Sequence, residues 1–116
     1  MRHKKNKITL DRKTAARRSL LANLAESLVL YEKIKTTKAK AKATRSLVER
    51  LITKAKSQSL TARRELMKVL YTDNAIKKIM EVLAPRYKDR NGGYTRVILF
   101  KNRKGDGAEE VIVELV

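Results

Sequence analysis

The residues able to do chemistry are concentrated in PRYKDRNGGYTRV, residues 85–97, where Arg86, Lys88, Arg90 and Arg96 alternate with Tyr87 and Tyr94 around a Gly92–Gly93 pair. Cations at this density attract phosphates, and tyrosine rings offer faces on which an unstacked base or sugar can rest. Glycine lacks a β-carbon, reaches positive φ and lets a backbone amide come close to another group. The motif therefore predicts a surface pressed against a polyanion. Two simpler readings stand beside it: a turn serving only the following strand, and tyrosines belonging to the core.

The rest of the inventory offers little catalysis. The only histidine, His3, lies in a basic N-terminal stretch with no neighbour to orient it as a base. There is no cysteine, and neither a Gly-x-Ser-x-Gly elbow nor a Walker-type phosphate loop occurs. Glu109 and Glu110 are adjacent, so on a strand they point to opposite faces and form no carboxylate pair; they are expected to shield a hairpin edge. The reading is of a binding protein with no enzyme activity, cofactor, metal or small-molecule substrate.

Composition agrees. The 116 residues carry 29 Lys and Arg against 12 Asp and Glu, a net charge of +17. An isolated molecule repels itself at that charge, and a polyanionic partner is the natural counterweight. No apolar run reaches the roughly 20 residues that cross a bilayer, and no apolar segment follows the basic start as in a signal peptide. A cytoplasmic chain without a membrane partner is expected.

The elements that must position these residues follow from periodicity. Residues 1–10 read as a flexible basic arm, continuous with the basic run Arg2, Lys4, Lys5, Lys7, Arg12, Lys13, Arg17 and Arg18. Asp11 is a candidate cap for a helix with Leu20, Leu21, Leu24 and Leu28 on one face. Arg17 falls in line with those leucines. Either the first turns project outward toward a ligand or the arginine snorkels to water.

VLYEKIKT, residues 29–36, alternates weakly, as a short strand would. Thr37 then caps a second helix whose apolar face is Leu47, Val48, Leu51 and Ala55. Its opposite stripe is Lys38, Lys42, Arg45, Glu49 and Lys56, the pattern of a helix lying along phosphates or of a solvated face. Two shorter helices follow, one on Ala62, Leu66, Val69 and Leu70, the other on Ile76, Ile79, Met80 and Leu83 from a cap at Thr72 or Asp73, with Pro85 as its end. RVILF and EVIVELV, separated by the glycine-bearing KNRKGDGAE, predict an antiparallel hairpin. No repeat or linker divides the chain, so one domain over 1–116 is expected.

Several blocks at these spacings resemble one known family: MRHKK, LDR and ARR, then EKIKTTKAKAK, LITKAK, TARRE, LAPRYKDRNGGYTRV, KGDG and the terminal VELV. The chain is similar nearly end to end to the bacterial large-subunit ribosomal protein seventeen family. That resemblance implies an α/β fold of two layers in the order α-β-α-α-α-β-β, with helices on a three-stranded mixed sheet. It also implies a structural, non-catalytic role. The partners would be folded large-subunit ribosomal RNA, near the peptide exit tunnel region, and neighbouring ribosomal proteins. Carried over by matching motif, RNA-facing roles would fall on Arg2, His3, Lys4, Arg12, Arg17, Thr36, Thr37, Lys38, Lys40, Arg86, Arg90, Tyr94 and Arg96. The residue reading adds Lys5, Arg18, Lys42 and Arg45. The chain departs from the family at Ala16 and Tyr31, where relatives often carry histidine, so no imidazole contact is carried over there. A DNA-binding module and an RNA-processing enzyme are the rival classes. The first lacks a helix-turn-helix and a dimer seam, the second an acid–base pair.

Overall fold

A computed structural model describes residue 3 and residues 8–116. The expected contacts Arg2, Lys4 and Lys5, and most of the expected arm, lie outside the described residues.

Helix α1 spans Thr14–Tyr31, with Lys13 at its N-cap and no side-chain cap. Asp11 does not cap it. Leu10 and Asp11 occupy positive φ, at 51° and 53°, in a turn closed by the Arg12 N–H donating to the Thr9 carbonyl at 3.1 Å. The helix buries Ala22, Ala25, Leu28 and Val29, while Leu20, Leu21 and Leu24 are only half-buried. Small alanines let α1 approach its neighbours closely, so the buried face is rotated from the leucine row. Helix α1 also takes in Val29–Tyr31, which the alternation assigned to a strand. Glu32 ends it in the left-handed conformation at φ 63°, and its N–H donates to Leu28 at 2.8 Å.

That turn delivers the chain into β1, Lys33–Thr37. Thr37 then sits at the N-cap of α2, Lys38–Ala55, with extended backbone as expected but with no side-chain capping bond. Helix α2 buries Ala41, Thr44, Val48, Leu51, Ile52 and Ala55. Helix α3, Leu60–Met67, is capped by Ser59, whose hydroxyl accepts from the Ala62 N–H at 3.1 Å. Thr72 caps α4 in the same way, accepting from the Ala75 N–H at 3.5 Å.

Helix α4 begins as Asp73–Lys78, widens into a π-helical stretch at Ile79–Leu83 and closes as Ala84–Arg86. Pro85 therefore lies inside the helix instead of ending it. A proline ring clashes with the carbonyl four residues earlier in a regular α-helix; the wider turn moves that carbonyl, and the Ala84 N–H reaches Ile79 instead.

Strands β2, Thr95–Asn102, and β3, Glu109–Leu115, form the expected hairpin. The sheet order is β1-β3-β2, and both neighbours run antiparallel to β3. The architecture and element order are those expected, but the sheet is antiparallel throughout, not mixed. Strand β3 is central. Glu109 and Glu110 therefore shield no edge: each lies at ion-pair distance from a lysine, Lys38 at 3.3 Å and Lys35 at 3.8 Å.

Val111, Val113 and Leu115 point from β3 into the helical layer, alternating with half-exposed Glu110, Ile112 and Glu114. They join the core of Leu28, Val29, Val48, Ile52, Leu66, Ile79 and Leu83. The helices do not cover the far end of β2. Leu99, across from Val111, is 75% exposed, and Phe100 occupies a register shift in the same apolar stretch. Among the described residues no helix is long and apolar enough to cross a membrane.

Candidate nucleic-acid interface

The Gly92–Gly93 turn takes positive φ at both positions, 123° and 61°. Its effect is to drive Tyr94 inward. The Tyr94 ring is 1% exposed and lies 5.1 Å from the buried Tyr87 ring, tilted by 46°. Its hydroxyl accepts from Thr53 Oγ1 at 3.3 Å and Lys56 Nζ at 3.2 Å, and donates to the Arg90 carbonyl at 3.2 Å. Burial pushes this hydroxyl up, but the bonds from Thr53 and Lys56 and the lysine charge outweigh it and leave it below the usual tyrosine range. The Tyr87 hydroxyl donates to the Val116 carbonyl at 2.7 Å. Tyr94 thus has no face to offer a base. The expectation of a stacking contact there is corrected: both rings fasten the glycine turn and the chain end to the core.

The motif's cations divide. Arg86 is held with Lys78 on the Glu32 carboxylate, whose pKa the arginine hydrogen bond, and then the lysine, pull below the ordinary range against desolvation. Arg96 donates to Glu114 at 2.9 Å. Arg90 and Lys88 are exposed and have no ion-pair partner among the described residues. Arg86 and Arg96 are accordingly part-neutralised before any ligand arrives.

On α2 the stripe is partly structural. Glu49 accepts from the Thr95 N–H at 3.3 Å and the Thr95 hydroxyl at 2.9 Å, docking α2 on the start of β2. Lys56 is half-buried and donates to the Arg90 carbonyl, so it leaves the stripe. Lys38, Lys42 and Arg45 remain exposed; Lys38 faces Glu109, and Arg45 lies 3.9 Å from Glu49. Thr36, Thr37 and Lys40 are half-buried beside them at the strand-to-helix junction.

His3, Arg12 just before α1 and Arg18 within it are exposed, and an Arg12 nitrogen donates to the Leu10 carbonyl at 2.7 Å. Arg17 is 9% exposed. Folding therefore leaves little of it in open solvent, and it shares a concavity with Ala43 and Ser46 of α2. That concavity, of about 600 Å³, is lined also by Ile8, Thr14, Arg18, Leu21 and Arg50. Arg50 and Ser46 escaped the sequence reading. Their signal was the four-residue spacing Lys42, Ser46, Arg50, a second polar row beside the stripe.

Exposed cations without an ion-pair partner among the described residues stand where α1 begins (Arg12, Arg18) and on α2 (Lys42, Arg50), and also on α3 (Arg64), on α4 (Lys77), before the glycine turn (Lys88, Arg90) and around the β2–β3 turn (Lys101, Lys104). Such cations have the charge that neutralising a polyanion backbone requires.

Comparison with known proteins identifies the lineage. A family model described as Ribosomal protein L17 matches residues 20–116. The large ribosomal subunit protein bL17 of Solibacter usitatus is 51% identical over the whole of this chain and 77% of its own length. The bL17 proteins of Syntrophotalea carbinolica and of a Hydrogenobaculum strain are each 47% identical over the whole chain, covering 75% and 99% of their own lengths. The match runs through α1, the sheet and the NGGYTR turn, and the chain belongs to the ribosomal protein L17 family.

Proposed function

We propose that this chain is a non-catalytic structural constituent of the bacterial large ribosomal subunit. It acts as one domain over 1–116, with the basic arm at 1–10, and holds folded large-subunit ribosomal RNA by neutralising its backbone. The observation that carries the reading is the surplus of cations over acids, with Arg12, Arg18, Lys42, Arg45 and Arg90 among those left exposed. Family membership supports the assignment to the large subunit, with neighbouring ribosomal proteins as further partners and the cytoplasmic ribosome as the place of action. The position near the peptide exit tunnel region rests on family resemblance, and crosslinking within assembled subunits checks it.

The contact surface, in this reading, combines the arm residues Arg2, His3, Lys4 and Lys5, Arg12 just before α1, the α1 residues Arg17 and Arg18, Thr36 and Thr37 at the end of β1, and Lys38, Lys40, Lys42 and Arg45 in the first half of α2. Arg86, Arg90 and Arg96 extend it.

Replacing Lys38, Lys42 and Arg45 together by glutamine tests it. The exposed pairs lost with Lys38 and Arg45 contribute about 0–1 kcal/mol each, and relief of self-repulsion offsets them, so the free protein keeps its thermal midpoint. Incorporation into large subunits, followed by sedimentation in high-salt gradients, falls. Normal incorporation of the triple variant makes the stripe a solvated face, and equal affinity of the parent for random duplex DNA at matched salt counts against the ribosomal reading.

A further inference from the structure

The helices cover one face of the sheet, and the other face carries a half-exposed aromatic ring. On that outer face Ile98 stands across from Ile112, with Lys35 on the far side of Ile112. Ile112 alternates with the buried Val111 and Val113, so this row points away from the helical layer. Phe100 joins it, because the Lys35 ammonium lies 5.1 Å from the centre of the Phe100 ring. The register shift has a specific effect here. Leu99 stands across from Val111 and Lys101 across from Glu110, so the one extra residue puts Phe100 and Lys101, neighbours in sequence, on the same face. The Lys101 ammonium lies 5.4 Å from the same ring centre.

Phe100 is 47% exposed and Ile98 41%, on a strand whose outer edge pairs with nothing among the described residues. Charge decides what suits this surface. Both acids of the face are already engaged: Glu114 lies near Lys33 and Arg96, and Glu110 near Lys35. Lys101 has no ion-pair partner among the described residues. An apolar protein patch laid on Phe100 would take two ammonium groups out of water without a new counter-charge, which is costly. A second copy of this chain, at net charge +17, would add like charges. A nucleotide brings both complements at once, a base to stack on the ring and phosphates to meet the lysines. A lysine rests on an exposed ring more weakly than a base stacks there, so it yields the ring when a phosphate draws it aside.

We infer that the outer face of the sheet holds an unpaired RNA base stacked on Phe100, with Lys35 and Lys101 on the phosphates that flank that nucleotide. The inference rests on the RNA-binding reading above. It adds a contact of another kind, to a base and not to the backbone alone, on the face turned away from the helices. The ring that Tyr94 and Tyr87 cannot offer, because both are buried, is supplied by Phe100.

The test compares the full-length parent with Phe100→Leu, Phe100→Tyr, Lys101→Gln and Leu99→Gln, the last an exposed apolar residue on the opposite side of the same strand. Each is titrated over a salt series with the large-subunit ribosomal RNA fragment that survives ribonuclease trimming of its complex with the parent, and with a fully paired RNA duplex. Phe100→Leu keeps the bulk and the thermal midpoint but loses the ring. Its affinity for the fragment is expected to fall on the order of tenfold, with the salt dependence unchanged and with no effect on duplex binding. Phe100→Tyr keeps a ring and binds like the parent, and Lys101→Gln lowers the salt dependence by about one phosphate equivalent. Ultraviolet crosslinking of the parent to the fragment should join residue 100 to a base, and this carries the test if the leucine variant fails to fold. Affinity in Phe100→Leu no lower than in Leu99→Gln, or a bound parent that gives no crosslink at residue 100, overturns the inference and leaves the RNA reading intact. A parent with no preference for the fragment over random duplex DNA sinks the RNA reading and the base site with it. If Phe100→Leu binds the fragment like the parent yet fails to enter large subunits, the face belongs to a neighbouring protein, which likewise overturns the inference.

Discussion

The Lys56 ammonium lies 3.2 Å from the Tyr94 hydroxyl and 5.4 Å from the centre of the same ring, so one lysine holds both the polar and the aromatic part of the residue that follows the glycine turn. The surrounding burial predicts a stability role for Tyr94. Tyr94→Leu should cost about 2–4 kcal/mol through the cavity left beside Tyr87, and Tyr94→Phe about 1 kcal/mol through the lost hydrogen bonds. At temperatures well below the midpoint both variants should bind the RNA fragment like the parent. Urea unfolding and RNA titration of the same samples check this; weakened binding at full stability would make the ring a ligand contact.

What the sequence shows of this fold is what short-range periodicity can carry. Val48, Leu51 and Ala55 in the core face of α2, the cap at Thr72 and the β2–β3 hairpin follow from spacing and turn chemistry. The leucine row of α1 misleads because packing between helices selected the small residues Ala22 and Ala25. Pro85 misleads because the stop rule assumes a regular α-helix and not a π turn. The antiparallel placement of β1 beside β3 depends on pairing between residues 33–37 and 110–114, a separation no local pattern encodes. In the site, charge was visible along the chain, but its division into paired and free cations was not. Glu32 lies 54 residues from Arg86, and Glu114 lies 18 from Arg96.

Glu32 gives a pH signature. Its pKa is held below the ordinary carboxylate value, first by the Arg86 hydrogen bond and then by Lys78. The folded state therefore binds fewer protons than the unfolded chain through the acid range, and stability rises with pH there. The contribution is complete above the unfolded-state pKa and is lost as pH falls through the folded-state one. Its carboxylate is 38% exposed, so screening limits the effect to about 1 kcal/mol or less. Glu32→Gln should unfold earlier in urea at pH 7, and the difference should close at acid pH. A gap that stays constant with pH assigns the effect to the left-handed turn at Glu32 and not to the charge.

The glycine turn supplies the last prediction, because its two positions differ in what they ask of a side chain. A β-carbon at either residue enters open space, so any penalty arises from the backbone. Gly93, at φ 61°, sits in the left-handed region that alanine enters at about 1–2 kcal/mol and that asparagine tolerates better. Gly92, at φ 123°, lies beyond that region, where residues other than glycine are strained by about 1–3 kcal/mol. Gly92→Ala should therefore lower the thermal midpoint more than Gly93→Ala, and Gly93→Asn should recover part of the Gly93→Ala loss. Because the turn leads directly into Tyr94, the strain is expected as looser packing of that ring, read as faster amide exchange at Thr95 and Arg96. Equal costs at the two positions, or an asparagine no better than alanine, would show that the turn relaxes into another backbone conformation and that Tyr94 does not depend on it.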